Sequence, residues 1–388
     1  MFYRVYADNA STEKMRLEAE RIYSECLSSA WGNASSAHSV GFEAKERLTA
    51  ARGQVRSGIG ADNAQVVFTS GATESINIAM KSLFEYGERV GKKHCVVSAI
   101  EHHAVLQSAE YWGRKLGFKI TYVMPGREGI ISSESVREAI KPGETSFVCV
   151  MYVNNEIGTI QPVWKIGRIC RESVIPFFCD ATQAIGHIEV DMIVDGIGIM
   201  CFSGHKFGGG YGTGTLCFLP EYKEIIKPYS FLGSQEGGYR AGTENVPAIC
   251  AMASALGEFC YKSEAEMQYI KWLKDSFIDR VLNEIPGVKI NGKRETLTPG
   301  IVNIQFEGID ADALVLMLNA CGICVSTGSA CLSGNTDPSY VLKSLGLSDK
   351  EARASVRFSF SHYTTVEDIK YLLDTLKACV HSLKEGRI

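Results

Sequence analysis

Through the first two-thirds of the chain, short apolar runs rich in β-branched residues alternate with stretches of helical periodicity. The runs Gln65–Thr69, His94–Ala99, Phe118–Val123, Ser146–Tyr152, Pro176–Cys179 and Gly198–Phe202 read as strands. Between them, Glu74–Tyr86, Ala104–Gly117, Ser133–Ile140 and Val163–Ser173 carry helical spacing. Strands alternating with helices predict a mostly parallel α/β sheet covered on both faces.

The pattern then changes. Gly-rich sequence from Gly204 to Gly242 shows little regular spacing. A long helical stretch from about Glu244 to Glu284, broken near Tyr261–Ser263, reads as the bridge into a second domain. There Ile301–Phe306 and Val356–Phe360 alternate apolar and polar residues, as half-buried antiparallel strands do. Asp310–Ala320 and Val366–Leu383 return to helical spacing. A smaller α+β C-terminal domain packed against a large α/β domain is expected.

Composition excludes several function classes. A chain of 388 residues can bury a core without metal or disulfide help. Lys and Arg total 40 against 44 acidic residues, a formal charge of −4, which supplies no footprint for nucleic acid or anionic membrane. No apolar run approaches the ~18 residues of a membrane span. Asp8, Glu13, Glu18 and Glu20 near the N-terminus are unlike a secretory signal, so a soluble, cytoplasmic protein is expected. Most of the 13 cysteines, such as Cys95, Cys149 and Cys217, sit in apolar runs and read as reduced, buried hydrophobes.

Three segments carry the chemistry. Lys206 follows an apolar strand and precedes a run of glycines, where partial desolvation lowers a lysine pKa and suits a Schiff-base amine; a solvated loop lysine is the alternative. The glycines of 208–214 make neither a dinucleotide fingerprint nor a P-loop, because the lysine comes first. Thr69-Ser-Gly-Ala-Thr-Glu74 lies at a strand-to-helix turn, which serves equally as a phosphate site or as a helix cap by Ser70 or Thr73. Asp180, in Cys179-Asp-Ala-Thr-Gln183, ends a strand where open α/β sheets bind ligands, as a cap or as the partner of a cation. A lysine, an anion turn and a strand-end Asp together form the set that pyridoxal 5'-phosphate requires.

Longer motifs extend this set. They are Tyr6–Ala10, Gly32–His38, Glu101-His102, Asn154-Asn-Glu-Ile-Gly158, His205-Lys206, Arg240–Asn245, Ser326-Thr-Gly-Ser-Ala-Cys331 and Ser355–Ser359. With them the chain resembles cysteine desulfurases of the NifS/IscS type, in the class V aminotransferase family, over essentially its whole length. The resemblance implies a large domain of the pyridoxal-phosphate-dependent transferase fold (aspartate aminotransferase-like, fold type I) over residues 15–262. A small α+β domain would take 1–14 plus 263–388. It further implies that Lys206 carries the cofactor as a Schiff base, Asp180 partners the pyridine nitrogen, Gln183 binds the ring hydroxyl and His102 stacks on the ring. Ala72, Thr73, Ser203 and His205 would bind the phosphate, joined by Thr243 of a second subunit in a homodimer. Asn155 and Arg357 would bind the substrate carboxylate, and Cys331 would accept sulfur from L-cysteine as a persulfide, leaving alanine. An iron–sulfur scaffold or another sulfur-acceptor protein would be the partner; selenocysteine lyase or another class V activity is the alternative.

Cys331 stands among Ser, Gly, Asn, Thr and Asp, a polar loop from which a thiolate could reach a ligand, with a helix expected from near Ser339 to anchor its far end. Cys321-Gly-Ile-Cys324 has redox or metal-ligand spacing, but it joins a helix end to a strand and has no second pair; buried core cysteines, with no metal, are expected there. Gly204, the loop Gly208–Gly212, Ala34 and Gly237 depart from the family pattern.

Overall fold

The computed structural model describes residues 3–231, 233–327 and 337–386. Its center is a seven-stranded sheet whose order in space is Gln65–Thr69, Gly214–Phe218, Ile199–Ser203, Phe177–Asp180, Thr145–Cys149, His94–Ser98 and Lys119–Val123. The last five run parallel; Gly214–Phe218 pairs antiparallel with both of its neighbors. Helices Ala72–Arg89, His103–Leu116 and Val163–Glu172 fall where the helical spacing placed them. Apolar clusters on both faces bury the central strands, as an uninterrupted apolar pattern requires.

The strand Gly214–Phe218 corrects the expectation that the Gly-rich region has little regular structure. Its first residue packs against the turn at Gly71, where an added Cβ would lie 2.5 Å from the Gly71 backbone. Glycine is therefore needed to bring this strand beside the anion turn. A second correction concerns the bridging helix. Val246–Glu284 runs unbroken for 39 residues, because its interior contains neither proline nor a capping signal near residue 262. Lys262 pairs with Glu258 one turn back at 2.9 Å, and Ser263 donates to Glu189 at 3.1 Å.

A three-stranded antiparallel sheet, ordered Ser355–Ser359, Ile301–Phe306, Val288–Asn291, gathers the C-terminal core with helices Ala311–Ala320 and Val366–Lys384. Val5 and Ala7 join that core, since Val5–Tyr6 pairs with Ile323–Cys324. The alternation of these strands is real, but they are not half-buried: every residue of Ile301–Phe306 and Ser355–Ser359 is buried. The polar face is covered by other parts of the chain; Asn303 donates to the Glu156 carbonyl at 3.2 Å and accepts from Asn291 at 2.7 Å. Val341, Leu342, Leu345 and Ala352 pack into the large sheet's core instead.

Cys321 and Cys324 are also corrected. Cys321 is exposed and Cys324 only partly buried, because the helix Ala311–Ala320 buries a single stripe and turns its end outward. Cys95, Cys149, Cys179, Cys201 and Cys217 are buried as expected, and burial pushes their thiols upward. Among the described residues no helix is long and apolar enough to cross a membrane.

Candidate active site

The carboxyl ends of the central strands and the N-terminal segment enclose a cavity of about 740 Å³. Lys206, Asp180, Gln183, His102, Ala72, Thr73, Ser203, His205, Asn155 and Arg357 all line it. Thr243 does not; it lines an adjoining hollow of about 160 Å³ that shares Ser70 and Gly212 with the cavity wall. Cys331 lies outside the described residues.

Lys206 ends a short 3₁₀ turn that leaves the strand Ile199–Ser203. Its Nζ donates to the carbonyls of Ala10 at 2.9 Å and Ser11 at 2.7 Å, so it is held in the cavity rather than spread into solvent. His187 fixes the backbone behind it, donating to the Lys206 carbonyl at 2.8 Å. The loop beyond uses left-handed backbone at Gly208, Gly210 and Gly212, conformations that side chains resist. At Gly204 an added Cβ would lie 2.7 Å from Thr213 Oγ1 and 2.9 Å from Met252 Cγ, which accounts for glycine at that departure.

Asp180 closes its strand, and its Oδ1 accepts from the Thr182 backbone at 3.0 Å and hydroxyl at 2.5 Å. Gln183 donates to the Ala10 carbonyl at 2.9 Å, leaving Oε1 buried without a partner. His102 caps the helix His103–Leu116: its Nδ1 accepts from the Ala104 N–H at 3.1 Å, which leaves the ring proton on Nε2 when the imidazole is neutral. Burial holds its pKa below the ordinary imidazole value, aided by the Lys206 charge and opposed by Asp180.

The helix Ala72–Arg89 starts without any capping side chain; Gly71 occupies the N-cap. The cap reading of Ser70 and Thr73 therefore gives way to an uncapped first turn that opens on the cavity, with the helix dipole's positive end toward it. His205 beside it is pushed down to about 4 by burial and then by Lys206, so it is a neutral ring at physiological pH.

Arg357 is no surface arginine: it is 3% exposed. Its guanidinium donates to the Asn155 carbonyl, Asp8 Oδ1 and Ser11 Oγ, each at 2.7 Å, while its Nε is buried with no partner among the described residues. Asn155 Oδ1 is likewise unpartnered. A donor on Arg357 and acceptors on Asn155 and Gln183 thus lie buried with no partner among the described residues, and such groups cost about 1–3 kcal/mol each unless a polar guest satisfies them. A cofactor with a ring hydroxyl, a phosphate and an attached amino acid supplies complementary groups, so the residues fit pyridoxal phosphate.

The sequence reading missed Asp8 and Ser11, which share Arg357 and Lys206 between them, along with Thr182 and His187. The local signal for Asp8 was present: an aspartate directly after an apolar strand, in a turn of small residues.

The family model Aminotransferase class-V matches residues 5–372. A protein of Dictyoglomus turgidum named cysteine desulfurase IscS is 37% identical over 380 residues, covering 98% of this chain and 95% of that one. Its namesake in Methanosarcina thermophila is also 37% identical, covering 98% and 93%. Among solved structures, a NifS-like protein matches with a TM-score of 0.90 at 30% identity, covering 98% of this chain and all of the other. A structure titled SspA in complex with cysteine matches with a TM-score of 0.81 at 31% identity, over 93% of this chain and all of that one.

Proposed function

The chain belongs to the class-V aminotransferase family and is a cysteine desulfurase; from this premise we propose how its own residues carry out the reaction. The observation that carries the proposal is the pairing, across one cavity, of Lys206 and Asp180 with Arg357 and Asn155, whose Nε and Oδ1 respectively are buried without a partner among the described residues.

Asp180 would hold a proton on the pyridine nitrogen, Gln183 Oε1 would accept from the ring hydroxyl, and His102 would stack on the ring. Ala72, Thr73, Ser203 and His205 would receive the phosphate at the uncapped helix start, completed by Thr243 of a second copy in a homodimer. Pyridoxal 5'-phosphate, when bound, withdraws electrons from the substrate's α-carbon and so permits the C–H and C–S bonds to break. Arg357 and Asn155 orient L-cysteine through its carboxylate, with Asp8 and Ser11 preventing the guanidinium from rotating away. Lys206 Nζ, steered by the Ala10 and Ser11 carbonyls, removes the Cα proton and returns one. His102, neutral with its proton on Nε2, faces the same space and assists proton transfer.

The Cys331 thiolate then attacks the substrate sulfur. A S–S bond forms, the C–S bond breaks, and the electron pair stays on the β-carbon, which takes up a proton to give L-alanine. Cys331 is left as the persulfide, available to an iron–sulfur scaffold or another sulfur-acceptor protein in the cytoplasm. We frame the reaction between residues 15–262 and a small domain of 1–14 plus 263–388. Supporting this division, Val5, Ala7 and the buried apolar residues of 270–285 join the three-stranded sheet's core, while Val341, Leu342, Leu345 and Ala352 cross to pack on the large sheet.

The test is incubation with L-cysteine and excess dithiothreitol, which reduces the persulfide and releases its sulfur as sulfide, scoring alanine and sulfide for wild type and Cys331→Ala. Equal formation of both products is expected, with loss of both in the variant; undiminished turnover by Cys331→Ala would exclude Cys331 as acceptor.

A further inference from the structure

His205 lines the cavity, and burial together with the Lys206 charge keeps its ring neutral. A neutral imidazole carries a single N–H, so it donates from one nitrogen and accepts at the other. Which nitrogen carries the proton is decided by what the other one meets. A phosphate dianion offers acceptors alone. For His205 to hold one, the proton must stand on the nitrogen that faces it, and the second nitrogen must be given a donor.

Nδ1 of His205 meets Thr12 Oγ1 at 3.3 Å. A hydroxyl can donate or accept, so that distance alone permits either tautomer. The surroundings of the hydroxyl favor donation to the ring. Its other acceptor is the His205 carbonyl at 3.5 Å, which already accepts from the Glu13 N–H at 2.9 Å. The Thr12 proton is therefore better placed on Nδ1. Thr12 is itself held, because its carbonyl accepts from the Tyr6 hydroxyl at 3.0 Å. The imidazole plane is held from its face: Tyr211, in the Gly-rich loop, stacks on it with centroids 5.7 Å apart and planes 21° from parallel.

We propose that Thr12 is a positioning residue for the cofactor's phosphate: its hydroxyl donates to His205 Nδ1 and so keeps the imidazole proton on Nε2, the nitrogen left for the phosphate. The inference rests on the reading of His205 as a phosphate ligand and adds the group that makes a neutral ring a donor there. An N–H bonded to an anion is stronger than one bonded to a neutral acceptor, so the choice of tautomer matters most when phosphate is present. Without the hydroxyl the ring must either give up the Nε2 donor or leave Nδ1 without a partner, and each weakens the hold on phosphate.

The experiment compares the affinities of the cofactor-free enzyme for pyridoxal 5'-phosphate and for pyridoxal, which keeps the ring and aldehyde but lacks the phosphate. Wild type, Thr12→Val, Thr12→Ser and His205→Ala are measured. Valine keeps the shape of threonine without its donor, so Thr12→Val should lower the ratio of the two affinities about five-fold, as loss of one hydrogen bond allows. Thr12→Ser should restore the ratio to within about two-fold. In a His205→Ala background Thr12→Val should lower it no further, because the hydroxyl acts through the ring. Nitrogen-15 spectra of the histidine-labeled holoenzyme, with the His205 signals identified by their loss in His205→Ala, should show Nε2 protonated and Nδ1 not. An unchanged ratio in Thr12→Val, a further loss in the double variant, or a protonated Nδ1 would overturn the positioning role. If His205→Ala itself kept the wild-type ratio, the phosphate reading of His205 would fail and take this proposal with it. A lowered ratio in His205→Ala beside an unchanged one in Thr12→Val would remove the role of Thr12 alone.

Discussion

The two sheets both bury their central strands and use them differently. In the seven-stranded sheet, strands such as Thr145–Cys149 and Ile199–Ser203 are apolar on both faces, and only their carboxyl ends reach the cavity. In the three-stranded sheet one whole face is polar: Asn303, Gln305, Ser355, Arg357 and Ser359 are all buried. Each of these polar groups needs a partner from elsewhere, and the partners are largely parts of the site. Asn303 bonds the Glu156 carbonyl, Arg357 bonds Asp8, and Ser359 Oγ accepts from the Ala10 N–H at 2.9 Å. The large sheet is thus a platform whose interior is separate from the chemistry, whereas the small sheet's face is part of the binding site. Substitutions within the first should cost stability alone; those on the second should cost binding.

The largest effect belongs to the platform's end. Lys206→Ala should lower kcat by about 10²–10⁴-fold, the range for a lost proton-transfer group, with circular dichroism unchanged. A variant turning over within ten-fold of wild type would remove Lys206 from the proton path. Inside the same platform, Phe147→Ala removes a ring that is fully buried 5.1 Å from Phe84. It should cost about 3–5 kcal/mol in urea unfolding while the folded fraction keeps its KM. A raised KM there would break the separation of platform from site.

On the small sheet the order reverses. Arg357→Lys keeps a cation near Asp8 but loses the planar, multi-donor contact, so KM for cysteine should rise about 10–100-fold with a smaller change in unfolding midpoint. The last effect is a pH dependence. Burial raises Glu101 to about 8, with Oε2 unpartnered, so the folded protein holds a proton that the unfolded chain releases near the ordinary carboxyl value. Stability conferred by that proton is present below the unfolded pKa and is lost as pH rises through the interval up to about 8. The slope from one such proton reaches ~1.4 kcal/mol per pH unit. Glu101→Gln should flatten the decline in urea midpoint between pH 5 and 8; an unchanged decline would assign it to other groups.

Much of the platform was legible because its signals are local. A strand's apolar run, the Asp or Lys that ends it and the turn that follows lie within a few residues of one another, so Asp180, Gln183 and Lys206 could be read in place. The long helix was harder. Tyr261–Ser263 looks like an interruption, yet the exposed Tyr261 and Lys262 and the buried Ser263 do not end a helix that lacks proline or glycine there, and Val246–Glu284 continues through it. The polar alternation of Val356–Phe360 was read correctly as a period of two and wrongly as solvent exposure. Periodicity reports that two faces differ and is silent on what covers the polar one.

The sequence by itself determined the layered α/β sheet, the positions of the cofactor-facing residues on its strand ends, and the family, since each depends on spacing within one element. Tertiary structure alone decided that Asp8 meets Arg357 and that Ser339 meets Glu156, contacts between residues 349 and 183 positions apart. Such pairs are set by strand register and by the path of the chain between domains. The hydrogen-bonding needs of buried groups select them only once packing has removed water as a competing partner.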